Sequence, residues 1–256
     1  MIALVTGASS GIGRDISREL AQRGYDIIAV ARDEGKLKDL KNELEKANKI
    51  KVHVRCTDLI NRDGTRKLHD DVKKEFGTID ILINDAGFGT CGNFIDTNLD
   101  KELGMIDTNI VALHILTKLF LIDMVEANKG YILNVASIAG FMPGPLMATY
   151  YSTKAYVVRL TQSIREELAM KKSNVKICAL CPGPVATNFN KVADVKFNIA
   201  QTSSQYVAKY GIKKMFKNKT LIFPKTSIKL ARILSKVSPD KLSAFICYFM
   251  QERKIK

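Results

Sequence analysis

The sequence predicts an α/β fold in which one parallel sheet is doubly wound, with helices on both faces. Short β-branched runs alternate with longer amphipathic stretches from the first residue to about residue 187. Each short run is apolar throughout, as expected of a strand that is covered on both faces. Strands of this kind, joined by helical crossovers, form a parallel sheet. The predicted strands are 2–7, 26–31, 51–56, 79–84, 131–137 and 175–181.

The stretches between the strands have the spacing of amphipathic helices. Ile12, Ile16 and Leu20 recur at intervals of four residues after the first strand, which predicts one helix face directed at the sheet. After Pro184 the alternation ends, and the pattern predicts a different organisation. We expect a loop over 185–202, a helix near 203–216, a seventh strand at 220–223 and two terminal helices separated by Pro239.

Composition places the chain among globular proteins. Its 256 residues are 46% hydrophobic, which is enough to bury a substantial core. Met1 leads directly into an apolar run, and no apolar stretch approaches the roughly 18–20 residues of a membrane span, so a cytoplasmic protein without a transmembrane segment is expected. Cys178 and Cys181 are predicted to be buried thiols. The three histidines lack ligand spacing, and no metal site is predicted.

Positive charge is concentrated near the carboxyl terminus. The formal net charge is +14, and residues 203–256 hold thirteen Lys or Arg against two acidic residues. Such asymmetry is compatible with an anionic partner: nucleic acid, a membrane surface or an acidic protein. A solvated lysine-rich face is the simpler interpretation. No RNA-binding signature or zinc-finger spacing accompanies the charge, so nucleic acid is the least favoured partner.

The segment TGASSGIG, residues 6–13, lies between the first strand and the first helix. Glycines at such a junction permit a tight turn and a close approach of the backbone to a ligand. The N-terminus of the following helix then offers free N–H groups and a positive dipole to a pyrophosphate. The segment therefore predicts a dinucleotide-binding turn.

Residues 149–156 read TYYSTKAY and place two tyrosines near one lysine. On a helix, Tyr150 at i, i+4 and Tyr151 at i, i+3 both neighbour Lys154, so helix geometry does not choose between them. A free phenol has a pKa of about 10 and is a poor base near neutrality, whereas a nearby cation favours the phenolate. The pattern therefore has two interpretations: an ordinary amphipathic helix surface, or a phenol held beside an ammonium group for proton transfer.

Taken in order along the chain, these motifs resemble the short-chain dehydrogenase/reductase family over almost the whole sequence. The glycine turn matches T-G-x-x-x-G-x-G, and Pro182-Gly183 matches the family's P-G. Asn84-Asp85-Ala86-Gly87 matches its N-N-A-G except at Asp85. The family's helix asparagine, strand-end serine and Y-x-x-x-K correspond to Asn109, Ser137, Tyr150 and Lys154.

The resemblance implies a single Rossmann-like NAD(P)-binding domain over 1–256, with a substrate loop and cap at about 185–216 and C-terminal helices at about 226–251. It implies that Tyr150 is the acid/base and that Lys154 holds the nicotinamide ribose and supplies the cation. Ser137 would orient the substrate oxygen, and Asn109 would hold a water. The cofactor-binding residues that it implies are Gly7, Ser9, Ser10, Gly11, Ile12, Gly13, Arg32, Asp58, Leu59, Asn84, Ala86, Gly87, Tyr150, Lys154, Pro182, Gly183, Val185 and Thr187.

The end of the second strand indicates which cofactor is used. An acidic side chain there would bind the ribose 2′-hydroxyl and repel a 2′-phosphate. The position is held by Ala31, followed by Arg32, whose guanidinium suits a phosphate. NADP(H) is therefore predicted. Asp33 leaves the alternative open, because a shift of one residue would bring its carboxylate to the ribose.

The substrate is predicted to be a small hydrophobic ketone or alcohol, such as a steroid or bile acid. Apolar residues follow several strands at the edge where the pocket should form. A homo-oligomer, dimer or tetramer, is expected, although FPKTS (223–227) replaces the glycine-rich ending that often supports tetramers in the family. The alternatives are a 3-ketoacyl reductase that docks a carrier protein or CoA, and a non-catalytic nucleotide-binding regulator. The candidate pocket residues are Phe88, Phe141, Met142, Leu146, Met147, Phe189 and Val192.

Overall fold

Residues 1–189 and 201–255 are described by the computed structural model. Seven strands form one parallel sheet, as the sequence predicts. Six lie within the predicted runs or at their edges, and the seventh is a two-residue strand near the carboxyl terminus. The strands are β1 Ile2–Thr6, β2 Asp26–Ala31, β3 Val52–Cys56, β4 Ile81–Asn84, β5 Tyr131–Val135, β6 Lys176–Leu180 and, after two short strands described below, β9 Leu221–Ile222.

The strand order is β3-β2-β1-β4-β5-β6-β9, with every neighbouring pair parallel. The chain builds outward from β1 through β2 to β3, then returns to the other side of β1 with β4. The strand order thus reverses between β1 and β4. In open parallel sheets a ligand cleft forms at this reversal, outside the carboxyl ends of the strands.

Helices cover both faces of the sheet. One core cluster joins α1, α2 and α7 to one face, and another joins α3, α5 and α6 to the opposite face. A six-residue π-helix interrupts the run between α4 and α5, and a short 3-10 helix follows β5. The helices are α1 Gly11–Ala21, α2 Glu34–Ala47, α3 Arg62–Phe76, α4 Leu99–Ile106, α5 Leu113–Glu126, α6 Ala148–Met170, α7 Ser204–Phe216, α8 Thr226–Val237 and α9 Asp240–Ile255.

A second, two-stranded sheet was not predicted. β7, Val185–Ala186, pairs in parallel with β8, Thr202–Ser203, where the sequence predicts only a loop. A ladder of two residue pairs is too short to impose a visible alternation of apolar and polar residues. Val192, predicted to line the substrate pocket, lies outside the described residues.

The helical run Leu99–Glu126 is long and apolar enough to cross a membrane, contrary to the expectation that no stretch approaches that length. Leu116, Phe120 and Met124 of this run are buried against the sheet. We therefore assign the run to the protein core. Cys178 and Cys181 are also buried, as predicted, and burial raises the pKa of both thiols.

Candidate active site

A cleft with a volume of about 980 Å³ lies at the carboxyl ends of the strands. This volume is at the upper end of the roughly 300–1,000 Å³ typical of ligand pockets. Most of the residues that the sequence assigns to catalysis or cofactor binding line it. They are Gly7, Ser9, Ser10, Gly11, Ile12, Arg32, Asp58, Leu59, Ala86, Gly87, Ser137, Tyr150, Lys154, Pro182, Gly183, Val185 and Thr187.

The glycine turn after β1 requires its glycines for two different reasons. Gly7 and Gly11 have φ of 70° and 58°, a backbone conformation that side chains disfavour. A Cβ on Gly13 would lie 2.6 Å from the carbonyl oxygen of Gly7, so only glycine lets α1 pack this closely against the turn. The result is a helix N-terminus that opens into the cleft, where its N–H groups suit a pyrophosphate.

Three assigned residues, Gly13, Asn84 and Asn109, do not line the cleft. Gly13 shapes the turn from behind. The Asn84 amide nitrogen donates to Thr117 Oγ1 and Asn134 Oδ1 inside the core, 3.0 and 2.9 Å away, because the side chain at the last position of β4 points into the helix layer. The structure therefore gives Asn84 a structural position and does not place its side chain at a cofactor.

Asn109 is buried in the π-helix Asp107–Ala112. Its amide nitrogen donates to the Phe88 carbonyl (2.9 Å) and to Thr153 Oγ1 (3.1 Å), and its oxygen accepts from the Phe88 backbone N–H (3.1 Å). Through these hydrogen bonds Asn109 links the loop after β4 to α6 and positions that loop. The prediction that it also holds a water stays a prediction.

The carboxyl end of β2 carries two exposed cations at the rim of the cleft, Arg32 and Lys36. Asp33 caps α2 by accepting a hydrogen bond from the Lys36 backbone N–H at 3.0 Å. Its carboxylate also lies 2.6 Å from Lys36 Nζ, and these contacts lower the pKa of Asp33. Asp33 is thus engaged with its own helix, which favours Arg32 over Asp33 as the residue available to a ligand. Lys36 was not among the predicted site residues.

Adjacent positions on α6 direct the two tyrosines to different partners. The Tyr150 phenol interacts with the Ser137 side chain in the cleft, whereas the Tyr151 hydroxyl accepts a hydrogen bond from the Gln251 amide of α9. Both tyrosines line the cleft, but successive helix residues are about 100° apart, and only the Tyr150 phenol meets Ser137 in the described contacts. This contact favours Tyr150 over Tyr151 as the residue that acts with Ser137.

Lys154 is a buried ammonium group. Its Nζ donates to the Val135 carbonyl oxygen at 2.8 Å and lies 5.9 Å from the centre of the Tyr150 ring. Burial lowers the pKa of Lys154 to about 8, against the opposing effect of Asp85. Asp85 Oδ2 lies close to Gly7 and Gly13, and burial raises the pKa of this carboxyl to about 7 although Lys154 lowers it. Asp85 is therefore the counter-charge of the lysine.

The pKa of Tyr150 differs from the sequence-based expectation. A neighbouring lysine was expected to favour the phenolate, but burial, with a smaller contribution from the Asp85 charge, raises the pKa of Tyr150 to about 12. Only the Ser137 side chain opposes this shift. Tyr150 is consequently a neutral phenol near pH 7, so in this state it is a proton donor.

The other end of the cleft is mainly apolar. Phe88, Met142, Met147 and Phe189 line it as predicted. Phe141 and Leu146 do not line it, and Phe141 instead packs on Phe223 and beneath Arg232. Residues of α8 and α9 complete this wall. The two terminal helices were predicted, but their residues were not assigned to the pocket. They include Ile228, Leu234, Ile246, Cys247 and Met250.

Comparison with known proteins places the chain in a family. The family model described as short chain dehydrogenase matches residues 1–196. An uncharacterized oxidoreductase of Staphylococcus epidermidis is 37% identical over 194 residues, which are 75% of this chain and 81% of the relative. The chain belongs to the short-chain dehydrogenase family and is an oxidoreductase.

Two solved structures resemble the whole fold. A short-chain dehydrogenase from Sphingobium yanoikuyae in complex with NADPH has a TM-score of 0.83 and 26% identity, with 93% of this chain and 96% of that chain covered. The bulky-bulky ketone specific alcohol dehydrogenase from Comamonas testosteroni has a TM-score of 0.78 and 26% identity, with 93% and 94% covered. Both are similar along nearly their full length, including the region beyond residue 196.

Replacing Asp85 by Asn should change how stability depends on pH. The folded-state pKa of Asp85 lies above its unfolded value, so the wild type should lose stability as pH rises through about 7, and the Asn variant should not. Because part of the Asp85 surface still faces the open cleft, we expect the difference between the two proteins to grow by about 1–2 kcal/mol from pH 5 to 7.5.

Urea denaturation of both proteins across this pH range measures that difference. Asp58→Asn is the matched control, because Asp58 lines the same cleft from the loop after β3. Parallel stability curves for wild type and Asp85→Asn would show that Asp85 stays ionised throughout.

Proposed function

We propose that the protein interconverts a secondary alcohol and a ketone on a bulky hydrophobic substrate, of hydroxysteroid or bile-acid type, with NADP(H). The observation that carries the proposal is the placement of Tyr150, Ser137 and Lys154 together beside the apolar end of the cleft. The ketone specificity in the name of the Comamonas testosteroni relative supports the substrate class. We also propose a cytoplasmic location and a homo-oligomer.

In this proposal the cleft residues act on the substrate oxygen. A nicotinamide cofactor bound in the cleft would supply or accept the hydride at the substrate carbon. In the reductive direction the Tyr150 phenol gives its proton to the carbonyl oxygen as that oxygen gains charge, and the Ser137 hydroxyl holds the same oxygen in place. Lys154 stabilises the phenolate that remains. A tyrosine that is neutral near pH 7 suits the reductive direction.

The glycine turn and the cationic rim would bind different phosphate groups of the cofactor. The N-terminus of α1 would receive the pyrophosphate, and Arg32 with Lys36 would receive the 2′-phosphate. The NADPH in the Sphingobium yanoikuyae relative supports this cofactor. Because Ala31 offers no carboxylate to the ribose hydroxyls, NAD(H) would lack a matching partner at this position.

A 3-ketoacyl reductase is the second candidate. The observation that favours it is the excess of basic over acidic residues within 203–256, which would dock an acidic carrier protein or the phosphates of CoA. Purified enzyme assayed for NADPH oxidation with hydroxysteroid-type ketones and with 3-ketoacyl-CoA distinguishes the two. Turnover with the ketones but not the thioesters supports the first candidate. A chain that binds NADPH but turns over neither class would favour a non-catalytic regulator.

Tyr150→Phe should abolish turnover and leave cofactor binding almost unchanged, because it removes the proton donor and little else. Tyr151→Phe is the matched control. It also removes one hydroxyl, from the adjacent residue, but that hydroxyl contacts Gln251 of α9. We expect a loss of at least about a hundredfold in kcat for Tyr150→Phe and a change within about tenfold for Tyr151→Phe. The reverse ranking of the two variants would refute the assignment of the acid/base.

NADP(H) should be preferred over NAD(H) by about ten- to a hundredfold in kcat/KM, since a charge-assisted contact to phosphate contributes roughly 1.5–3 kcal/mol. Ala31→Asp combined with Arg32→Ile should reverse the preference, because the new carboxylate repels the phosphate and accepts the ribose hydroxyls. Steady-state kinetics with both cofactors measure it. A wild type that prefers NAD(H) would mean that Asp33 reaches the ribose.

Lys36→Ala should lower kcat/KM for NADPH by about three- to tenfold and affect the value for NADH far less, because NADH has no 2′-phosphate. Lys38→Ala is the matched control. Lys38 lies on the same helix and, like Lys36, pairs with an acidic residue, Glu34 at 2.8 Å, but it does not line the cleft. Equal effects of the two substitutions would show that Lys36 does not contact the 2′-phosphate.

A further inference from the structure

Two apolar stripes face outward from the C-terminal helices. On each helix the exposed residues recur at intervals of three and four, so they form one continuous face. Exposure is high along both stripes and reaches 61% at Phe245 and 78% at Val237, the last residue of α8. The stripe on α8 is Leu230, Ile233, Leu234 and Val237, and the stripe on α9 is Leu242, Phe245, Ile246, Phe249 and Met250.

The side of α9 that faces the protein is not its apolar side, which is the reverse of a typical surface helix in a globular protein. Within 240–252, the part of α9 whose burial the structure describes, the buried residues are Ser243, Cys247 and Gln251, which are small or polar, while Leu242, Phe245 and Phe249 are exposed. A surface helix normally places its apolar stripe against the core. The outward stripe thus implies that something other than this domain covers it.

Basic residues on and next to these two helices indicate which kind of surface covers the stripes. Lys225, Lys229, Lys236 and Lys241 are all exposed and flank the stripes. Over 225–252, which holds both helices as far as their side chains are described, the sequence has five basic residues and two acidic ones. The four flanking lysines favour an anionic surface over a second copy of the same basic face. Exposed aromatic and aliphatic side chains beside lysines are typical of helices that lie in a membrane interface.

The outward stripes are continuous with the cleft. Leu234 of α8 and Ile246 and Met250 of α9 belong to the exposed stripes and also line the cleft. A surface bound at this face would therefore border the apolar end of the cleft. The family model ends at residue 196, so this face lies outside the segment that it matches.

We propose that the α8–α9 face, formed by the two stripes and their flanking lysines, docks on a membrane that contains anionic phospholipid. The apolar side chains enter the boundary between headgroups and acyl chains, and the lysines contact lipid phosphates. The protein is held on the membrane surface by this face and does not span the membrane. The proposal does not depend on the identity of the substrate or the cofactor.

Sedimentation of the full chain with vesicles tests the proposal. Wild type should bind vesicles of phosphatidylcholine containing about one third phosphatidylglycerol at least tenfold more tightly than vesicles of phosphatidylcholine alone. About 0.5 M sodium chloride should weaken the binding. Phe245→Ser combined with Phe249→Ser should reduce binding at least tenfold, as should Lys229→Glu combined with Lys236→Glu.

Two matched double variants control for loss of apolar surface and of charge elsewhere. Ile95→Ser with Met170→Ser removes two exposed apolar side chains outside the face, and Lys46→Glu with Lys49→Glu reverses two exposed charges at the end of α2. Both should bind vesicles as wild type does. Thermal melting of each variant shows that it is folded.

Two results would overturn the proposal. One is a wild type that does not bind anionic vesicles, or stripe variants that bind as tightly as wild type. The other is a wild type that light scattering shows to be an oligomer through this face, which the Phe245→Ser and Phe249→Ser variant converts to monomer. A second copy of the chain would then be the partner of this face.

Discussion

The active-site end of the cleft depends on one buried positive charge. The Lys154 ammonium is only 6% exposed and donates to the Val135 carbonyl. A buried ammonium is strongly destabilising unless it is paired and hydrogen-bonded, and Asp85 provides the opposing charge. The two groups come from different elements, α6 and the loop after β4. The lysine and its opposing charge thus come from two elements that both line the cleft around Tyr150.

This pairing gives a physical account of Asp85, where the sequence departs from the family pattern. An asparagine could accept the hydrogen bond from the Gly13 backbone but would carry no charge. The carboxylate keeps Lys154 more protonated than burial alone would allow, and at the same time raises the pKa of Tyr150. One substitution thus acts on the lysine and the tyrosine together, and in both cases it favours the protonated form.

The fold could be predicted from the sequence because each central strand is buried on both faces and shows it as an apolar run. The glycine turn could be predicted for a similar reason, since positive φ and a 2.6 Å approach leave glycine as the only choice. The two-residue strand β7 could not be predicted, because so short a segment has no period. Nor could the inward direction of Asn84, which depends on Thr117 and Asn134 of other elements.

The wall formed by α8 and α9 was missed for a different physical reason. Binary patterning shows that a helix has an apolar face, but it does not show which way that face points. The usual assumption is that the face packs on the core, and α9 reverses it: Ser243, Cys247 and Gln251 are inside, and Phe245 and Phe249 are outside. Only the tertiary structure reveals the reversal.

The proposed catalytic residues and the helices that border the mouth of the cleft lie in different parts of the chain. The glycine turn, Ser137, Tyr150 and Lys154 lie within the part that the family model matches, and all are held by the central sheet and its loops. The apolar end of the cleft is closed by helices that follow this part, and α9 has only small and polar side chains, Ser243, Cys247 and Gln251, among its described buried residues. Such a contact buries little apolar area, so it resists separation less than the core does. The helices that border the mouth of the cleft are therefore the elements whose position an external surface could most readily influence.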